Sequence, residues 1–248
     1  YYDLFLMNPD GYAFYTVGQE ADYKTNFVNG KYADSGMGKL VRTVLNTKQY
    51  GLADFAPYAP SNGEPSAFIA QPVVFNDKVE LIVGLQLSLD AINKIMQQRD
   101  GMGQTGETYL VGQDKLMRSD SFLDKTNHSV KASFANPSTG KVDTEASSLA
   151  LSGKEDAKII IDYNGNPVLS AFTPLAVGDT TWALIAEIDE SEAFAAVNAI
   201  RWLIIIISVI SMVTIFGVAW FIARSISRPI NVITAGMSEG ANQVASAS

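Results

Sequence analysis

The sequence predicts an α+β protein in which two similar antiparallel-sheet units lie in tandem and are followed by one long apolar helix. Strand–turn–strand patterns occur twice along the first 200 residues, and each is followed by a helical stretch and a three-strand return. An uncharged, mostly apolar run occupies residues 202–222. The remaining residues have the apolar spacing of a coiled coil. These three observations define the fold class, and the elements follow in order.

The first unit is predicted over residues 1–99. A tight turn at Asn8–Gly11 separates two short strand patterns, as in a β-hairpin. Leucine and valine at helical spacing predict a helix at Gly38–Lys48, and Ser88 is a suitable N-cap for a second helix that reaches Gln98. Strands are predicted at Tyr2–Leu6, Tyr12–Val17, Asp54–Tyr58, Ser66–Val74 and Val79–Leu85.

The second unit, predicted over residues 100–198, repeats this order. A hairpin is predicted around Gly112–Asp114, and its second strand is expected at Lys115–Arg118. The turn Asp162–Asn166 separates two further strands. The remaining elements are helices at Thr144–Leu151 and Asp189–Asn198 and strands at Thr108–Val111, Ile159–Ile161, Val168–Thr173 and Trp182–Ile188.

The apolar run predicts a transmembrane helix over residues 201–223, since about 20 apolar residues cross the hydrocarbon core of a bilayer as a helix. Acidic residues precede the run, and Arg224 and Arg228 follow it, so the positive-inside tendency assigns 224–248 to the cytoplasm and 1–200 to the outside. No basic, apolar export signal stands at the start of the sequence. The chain is therefore expected to be an internal part of a longer protein.

The tail beyond the span predicts helix pairing. Apolar or small residues recur in alternating steps of four and three, which is the coiled-coil period and indicates a homodimer. An amphipathic helix lying on the membrane is the alternative. Pro229 is expected to end or bend the membrane helix and to start a new one. The seam positions are Ile226, Ile230, Ile233, Met237, Gly240, Val244 and Ala247.

Composition excludes several classes of site. The 248 residues carry a net charge of −8, which argues against a general nucleic-acid binder. There is no cysteine and only one histidine, so cysteine nucleophiles, disulfides and multi-histidine metal sites are excluded. The glycine-rich stretch Gly101–Gly106 matches a dinucleotide-binding pattern, but it follows a helix and precedes a strand, which is the reverse of the required order. His128 is expected in solvent, with pH sensing as an alternative role. We predict no catalytic centre, metal or cofactor.

The whole arrangement resembles the extracytoplasmic double-Cache (PAS-like) sensor of bacterial methyl-accepting chemotaxis proteins. The tail is similar to a first HAMP helix that runs early into a signalling helix. The segments that carry the resemblance are YYDLFLMNPDGYAFYTV, PYAPSNGEPSAFIAQPV, GQTGETYLVGQDKLMRSDSF, TTWALIAEIDESEAF and RSISRPINVITAGMSEGANQVASAS.

The resemblance implies a non-enzymatic chemotaxis receptor in the bacterial inner membrane. A ligand would bind the membrane-distal unit and shift a membrane helix within a homodimer, and the output would reach a cytoplasmic kinase and adaptor through a C-terminal signalling domain. The alternative is the sensor half of a membrane histidine kinase or a diguanylate cyclase. The tail contains no histidine that could be phosphorylated, which favours the receptor.

Tyrosines and one carboxylate in the first unit are the predicted ligand contacts. Tyrosine supplies both apolar surface and a hydroxyl, and a carboxylate beside aromatic rings suits an amine or other small cation. Strand alternation places Asp54 and Tyr58 on one face, under a lid around Tyr32–Ser35. Residues 1–100 contain no Trp, so the full motif of the amino-acid-binding branch is absent. The predicted contacts are Tyr15, Tyr23, Tyr32, Asp54, Tyr58, Phe68 and Asp77.

Overall fold

The computed structural model describes residues 1–247, without the side chains of Ile226, Ser227 and Ala247. Residues Tyr1–Ala193 form one compact unit, and the chain from Phe194 onward forms a second. The part Tyr1–Ala193 contains both antiparallel sheets, and the part from Phe194 onward is helical. The α+β class predicted from the sequence is therefore confirmed.

The first sheet has five antiparallel strands in the order β2-β1-β5-β4-β3. Asn76 and Asp77 have φ of 48° and 63°, so they form the tight left-handed turn that joins the two longest strands. Helix α1 (Gly36–Thr47) is capped by the Ser35 hydroxyl and packs its apolar side on the inner face of this sheet. The strands are β1 (Asp3–Met7), β2 (Ala13–Thr16), β3 (Gly51–Tyr58), β4 (Glu64–Phe75) and β5 (Lys78–Gln86).

The second sheet has four antiparallel strands in the order β6-β9-β8-β7. The predicted strand Lys115–Arg118 is wrong, because only one bridge, between Val111 and Met117, forms before the chain turns away. Two short helices that the sequence did not signal are α3 (Val130–Ala135) and α4 (Pro137–Gly140). The other elements are α2 (Leu89–Met96), β6 (Glu107–Val111), α5 (Glu145–Leu151), β7 (Asp156–Ile161), β8 (Pro167–Val177), β9 (Thr180–Asp189) and α6 (Glu190–Ala193).

The two sheets share a packed boundary. The pairing of β3 with β4 shifts register between Ala53 and Ala56, which is a β-bulge. The bulge directs Phe55 into the core of the second sheet, where its ring lies 6.1 Å from that of Trp182. Tyr58, on the same strand, is instead buried in the core of the first sheet. Strand β3 therefore contributes side chains to both cores.

The chain from Phe194 onward is helical. Helix α7 (Ala195–Ile222) contains no buried residue, and it is long and apolar enough to cross a membrane, with a mean hydropathy of 2.6 over its most apolar window. A π-helical turn at Ala223–Ser227 follows, and then helix α8 (Arg228–Ala247). Pro229 lacks an N–H and so cannot continue the regular ladder, and the π turn just before it accommodates this break. Two seam positions of the predicted coiled coil, Ile226 and Ala247, have side chains outside the described residues.

Candidate ligand-binding site

Carboxylates gather at one end of the inner face of the first sheet. Asp22, in the loop after β2, is fully buried, and its Oδ2 accepts a hydrogen bond of 2.5 Å from the Tyr58 hydroxyl. The other oxygen of Asp22 has no hydrogen-bond partner. Asp3 lies on β1, also buried, and its Oδ2 is likewise without a partner. A buried carboxylate oxygen without a partner is costly in a folded protein, so each of these oxygens is an acceptor that a hydrogen-bond donor would stabilise.

Polar side chains connect this cluster to a cavity. Gln86 lies directly opposite Asp3 on the neighbouring strand, donates to the Ser66 hydroxyl at 2.9 Å, and leaves its own Oε1 without a partner. The Ser61 hydroxyl donates to Glu20 at 2.8 Å. Glu20, Ser61, Ser66 and Gln86 line a cavity of about 200 Å³. We call Asp3, Glu20, Asp22, Tyr58 and Gln86 the acidic cluster.

The acidic cluster contains three carboxylates and no basic residue, and its Asp3 Oδ1 accepts from the amides of Leu4, Val17 and Gly18. Burial raises the pKa of Asp22 above its ordinary value, and the charges of Glu20 and Asp3 raise it further. Burial and the Asp22 charge raise the pKa of Tyr58, so its hydroxyl remains a donor. Among the residues that the structure describes, no lysine or arginine forms an ion pair with these carboxylates. The site therefore favours a positively charged ligand.

Three of the predicted contacts lie beside Asp22. Tyr58 bonds it directly, and the Phe68 ring lies 4.8 Å from the Tyr58 ring in an edge-to-face arrangement. Tyr32 is buried in the same core. Arg42 is hydrogen-bonded to the predicted lid around Tyr32–Ser35: its guanidinium donates to the Ala33 carbonyl at 2.6 Å.

Asp54 belongs to a different network. It accepts two hydrogen bonds of 2.8 Å from the Arg118 guanidinium and one of 3.1 Å from the Trp182 indole. Arg118 is almost completely buried and also contacts Asp114. The expectation that Asp54 and Tyr58 share one face is wrong, because the bulge between Ala53 and Ala56 interrupts the alternation. Asp54 lines a separate groove of about 510 Å³ between α1 and β3.

Of the remaining predicted contacts, Tyr23 directly follows Asp22, and its amide donates to the Glu20 carbonyl at 3.0 Å. Tyr15 is exposed, and Lys24 lies over the ring of Tyr23 at 5.0 Å. Asp77 is 90% exposed and forms an ion pair with Lys48 at 2.7 Å. His128, expected in solvent, is instead buried: its Nδ1 lies 2.9 Å from Asp124 and its ring stacks on Tyr163.

Asp22, Asp3 and Gln86 were not predicted as contacts. Asp22 lies in an irregular loop, where no periodicity indicates which side chains turn inward. Asp3 and Gln86 occupy buried strand positions that alternate with half-buried ones, so a polar residue on the inner face of either strand was a detectable signal. The alternation assigns them to the same face as Phe5 and Ile82, where polar residues are uncommon.

Comparisons with known proteins agree with this architecture. No protein-family model matches the sequence. The probable chemoreceptor y4sI of Sinorhizobium fredii is 25% identical over 98% of this chain, and the chain spans 29% of its length. The ligand-binding domain of the Pseudomonas aeruginosa amino acid chemoreceptor PctB, solved with L-Arg, is 20% identical with a TM-score of 0.50, over 78% of this chain and 73% of that one. This chain has the fold of a chemoreceptor ligand-binding domain.

A second solved structure supports the same fold. An extracellular ligand-binding receptor from Desulfohalobium retbaense is 13% identical with a TM-score of 0.52, and the match covers 75% of this chain and 30% of that one. The resemblance to chemoreceptor sensors is therefore confirmed, for a chain that combines two antiparallel sheets with a C-terminal helix long enough to cross a membrane.

Proposed function

We propose that this chain is the sensing and membrane-crossing part of a chemotaxis receptor whose ligand carries an ammonium group. The observation that supports the proposal is the buried Asp22 carboxylate, which has one oxygen without a partner and no ion pair with a lysine or arginine of residues 1–247. A bound ammonium group supplies the missing charge and the missing hydrogen bonds.

The acidic cluster matches the donors of an ammonium group in number. A primary ammonium has three N–H donors, and three acceptor oxygens without partners belong to Asp3, Asp22 and Gln86. Asp3 and Gln86 lie opposite one another on the adjacent strands β1 and β5. The charge of Asp3 is close enough to raise the pKa of Asp22. The neighbouring Tyr58 and Phe68 rings supply the apolar and cation–π contacts that such ligands use.

An amine without a carboxylate fits the site better than an amino acid. PctB, which has a similar fold, binds L-Arg, so ammonium compounds are the first to test. In this chain, however, Arg42 near the cluster donates to the backbone carbonyls of Val28 and Ala33. No cation in the described contacts of the acidic cluster is available for a ligand carboxylate.

Signal transmission follows from the predicted domains. We propose that residues 1–99 bind the ligand outside the bacterial inner membrane, that 100–198 relay the change, that 201–223 cross the bilayer and that 224–248 enter the cytoplasm as a homodimeric helix. The receptor has no catalytic activity, and its output reaches a cytoplasmic kinase and adaptor. The alternative is a sensor histidine kinase or a diguanylate cyclase, which the protein sequence beyond Ser248 distinguishes.

The proposal is tested by binding measurements on the full chain in lipid nanodiscs. L-Arg, short alkylamines and the corresponding carboxylic acids are screened by thermal shift, and hits are titrated calorimetrically. We expect ammonium compounds to bind, and carboxylic acids without an amine to give neither a thermal shift nor binding heat. Asp22→Asn should weaken binding about 10–100-fold, which corresponds to the roughly 1.5–3 kcal/mol of a hydrogen bond to a charged group.

Glu80→Gln is the control, because Glu80 is an exposed carboxylate on β5 of the same sheet and lies outside the acidic cluster, the lid and the groove beside Asp54. Its affinity should equal that of the unmodified chain. Equal affinities for the unmodified chain and the Asp22→Asn variant contradict the proposed site. Loss of binding in an Asp54→Asn variant alone assigns the ligand instead to the groove between α1 and β3.

A further inference from the structure

The second sheet contains a pair of buried glutamates that the amine site does not use. Glu107 on β6 and Glu187 on β9 lie directly opposite one another in the antiparallel ladder. Their exposed fractions are only 2% and 5%. Like charges at directly opposite positions destabilise a sheet, and burial strengthens the repulsion. Two ionised carboxylates at these positions are therefore unfavourable.

Glu107 is fully satisfied by donors. Its Oε2 accepts from the Ser121 hydroxyl at 2.8 Å and from the Phe122 and Leu123 amides at 2.9 and 3.2 Å. Its Oε1 accepts from the Tyr163 hydroxyl. An ionised carboxylate only accepts hydrogen bonds, so this surrounding suits the charged form of Glu107.

Glu187 has a different surrounding. Its Oε2 accepts from the Tyr109 hydroxyl at 2.6 Å, whereas its Oε1 has no partner. The Ser170 hydroxyl, on the residue opposite Glu187 in β8, is fully buried and can donate to the ionised carboxylate, which lowers the pKa of Glu187, or accept from the protonated one. Burial raises the pKa of Glu187 to about 7. A protonated Glu187 gains an O–H donor at a place where an acceptor is free.

The groups that surround Glu187 reinforce this difference. Strand β6 contributes Tyr109 and Glu107, and the turn between β7 and β8 contributes Asp162 and Tyr163. Behind Tyr163 lies His128, which is hydrogen-bonded to Asp124. Within residues 1–247, no lysine or arginine forms an ion pair with either glutamate. No described lysine or arginine neutralises Glu187, and a proton removes its charge without a bound ligand.

The position of Glu187 links this proton to the membrane helix. Strand β9 ends at Asp189 and continues through α6 towards α7. Helix α6 is hydrogen-bonded to the glycine-rich loop Gly101–Gly106. The Glu192 carboxylate accepts from the Gln104 and Thr105 amides at 2.7 and 2.8 Å. The segment that leads into α7 therefore continues directly from the strand that carries Glu187.

We propose that Glu107 and Glu187 form a proton-binding site by which the second sheet senses the pH outside the membrane, separately from the amine site of the first sheet. In acidic medium the carboxyl group of Glu187 carries the proton and β6 and β9 remain paired. In alkaline medium the proton leaves to water and the two carboxylates repel one another. The pairing of β6 with β9 then weakens around Glu187.

The test is a pH titration of the full chain in nanodiscs. Difference infrared spectroscopy follows the carboxylic acid C=O band, and hydrogen exchange follows the amides of 183–193. We expect a carboxylic acid band that disappears near pH 7, with exchange in 183–193 rising at least severalfold at the same pH. Both changes should be absent in Glu187→Gln, which keeps the neutral form at every pH.

Two variants make the outcome decisive. Glu155→Gln removes an exposed glutamate near β7 and should leave both titrations unchanged. Glu107→Gln removes the facing charge and should keep the band but shift its disappearance to lower pH. Because burial also raises the pKa of Asp22, the infrared titrations are made in the Asp22→Asn background. A carboxylic acid band that persists there in Glu187→Gln, a band that disappears at the pH of an ordinary glutamate, or exchange in 183–193 that does not depend on pH overturns the proposal.

Discussion

Replacement of Glu187 by Gln should abolish a pH-dependent loss of stability. Burial raises the pKa of Glu187 from 4.5 to about 7, so the folded chain binds a proton that the unfolded chain releases. The stabilisation is complete below the unfolded pKa and is lost as the pH rises through the folded pKa. A rise in pKa from 4.5 to about 7 corresponds to about 3 kcal/mol, of which about 2 kcal/mol is lost between about pH 5.5 and about pH 8.5.

Thermal unfolding of the chain in nanodiscs measures this loss. Trp182 is buried on the same strand as Glu187, and its fluorescence reports unfolding when Trp202 and Trp220 are replaced by Phe. A change of about 2 kcal/mol should lower Tm by roughly 4–8 °C between these pH values. Glu187→Gln should remove that decrease, and Glu155→Gln should retain it. A decrease that is the same in Glu187→Gln and in the unmodified chain refutes the reasoning.

Three further substitutions test the contacts described above. Asp54→Ala should lower the free energy of unfolding, measured in urea, by about 3 kcal/mol, because the buried Arg118 then keeps only Asp114 as a charged partner. An equal loss in Asp114→Ala would contradict the claim that Asp54 is the main partner of Arg118. Tyr58→Phe should cost about 1–3 kcal/mol at neutral pH, since Asp22 loses its hydroxyl donor, and less in acid, where Asp22 is protonated. A penalty that does not depend on pH would argue against an ionised Asp22. Asp77→Asn should change stability by about 0.5 kcal/mol or less and leave amine binding unaffected, because its ion pair with Lys48 is exposed; a loss of binding would place Asp77 in the site.

Much of the fold could be predicted because its strands and helices carry strong local signals. The strands on either side of Asn76–Asp77, the cap residue Ser88 and the apolar run of α7 all appear in the structure as the sequence indicates. The failures were local. The short hairpin after β6 was predicted as two full strands, although Arg118 turns inward to pair with Asp54 across the sheet boundary. A long-range ion pair of this kind leaves no periodic pattern.

The site was predicted only in part for the same physical reason. Tyr58, Phe68 and Tyr32 were identified from aromatic composition, and the structure brings them together around Asp22. Asp54 was grouped with Tyr58 by strand alternation, and one bulge residue was enough to separate the two. His128 was expected in solvent, yet stacking on Tyr163 and a bond to Asp124 bury it. Irregular loops determine these positions, and their conformation follows from tertiary contacts.

The most direct test is a crystal structure of the sensor-containing chain with an amine that it binds. The account predicts the ligand nitrogen at a hydrogen-bonding distance, about 2.7–3.2 Å, from the free oxygen of Asp22, with the Tyr58 hydroxyl still on the other oxygen. Electron density for the amine beside Asp54, in the groove between α1 and β3, would contradict it.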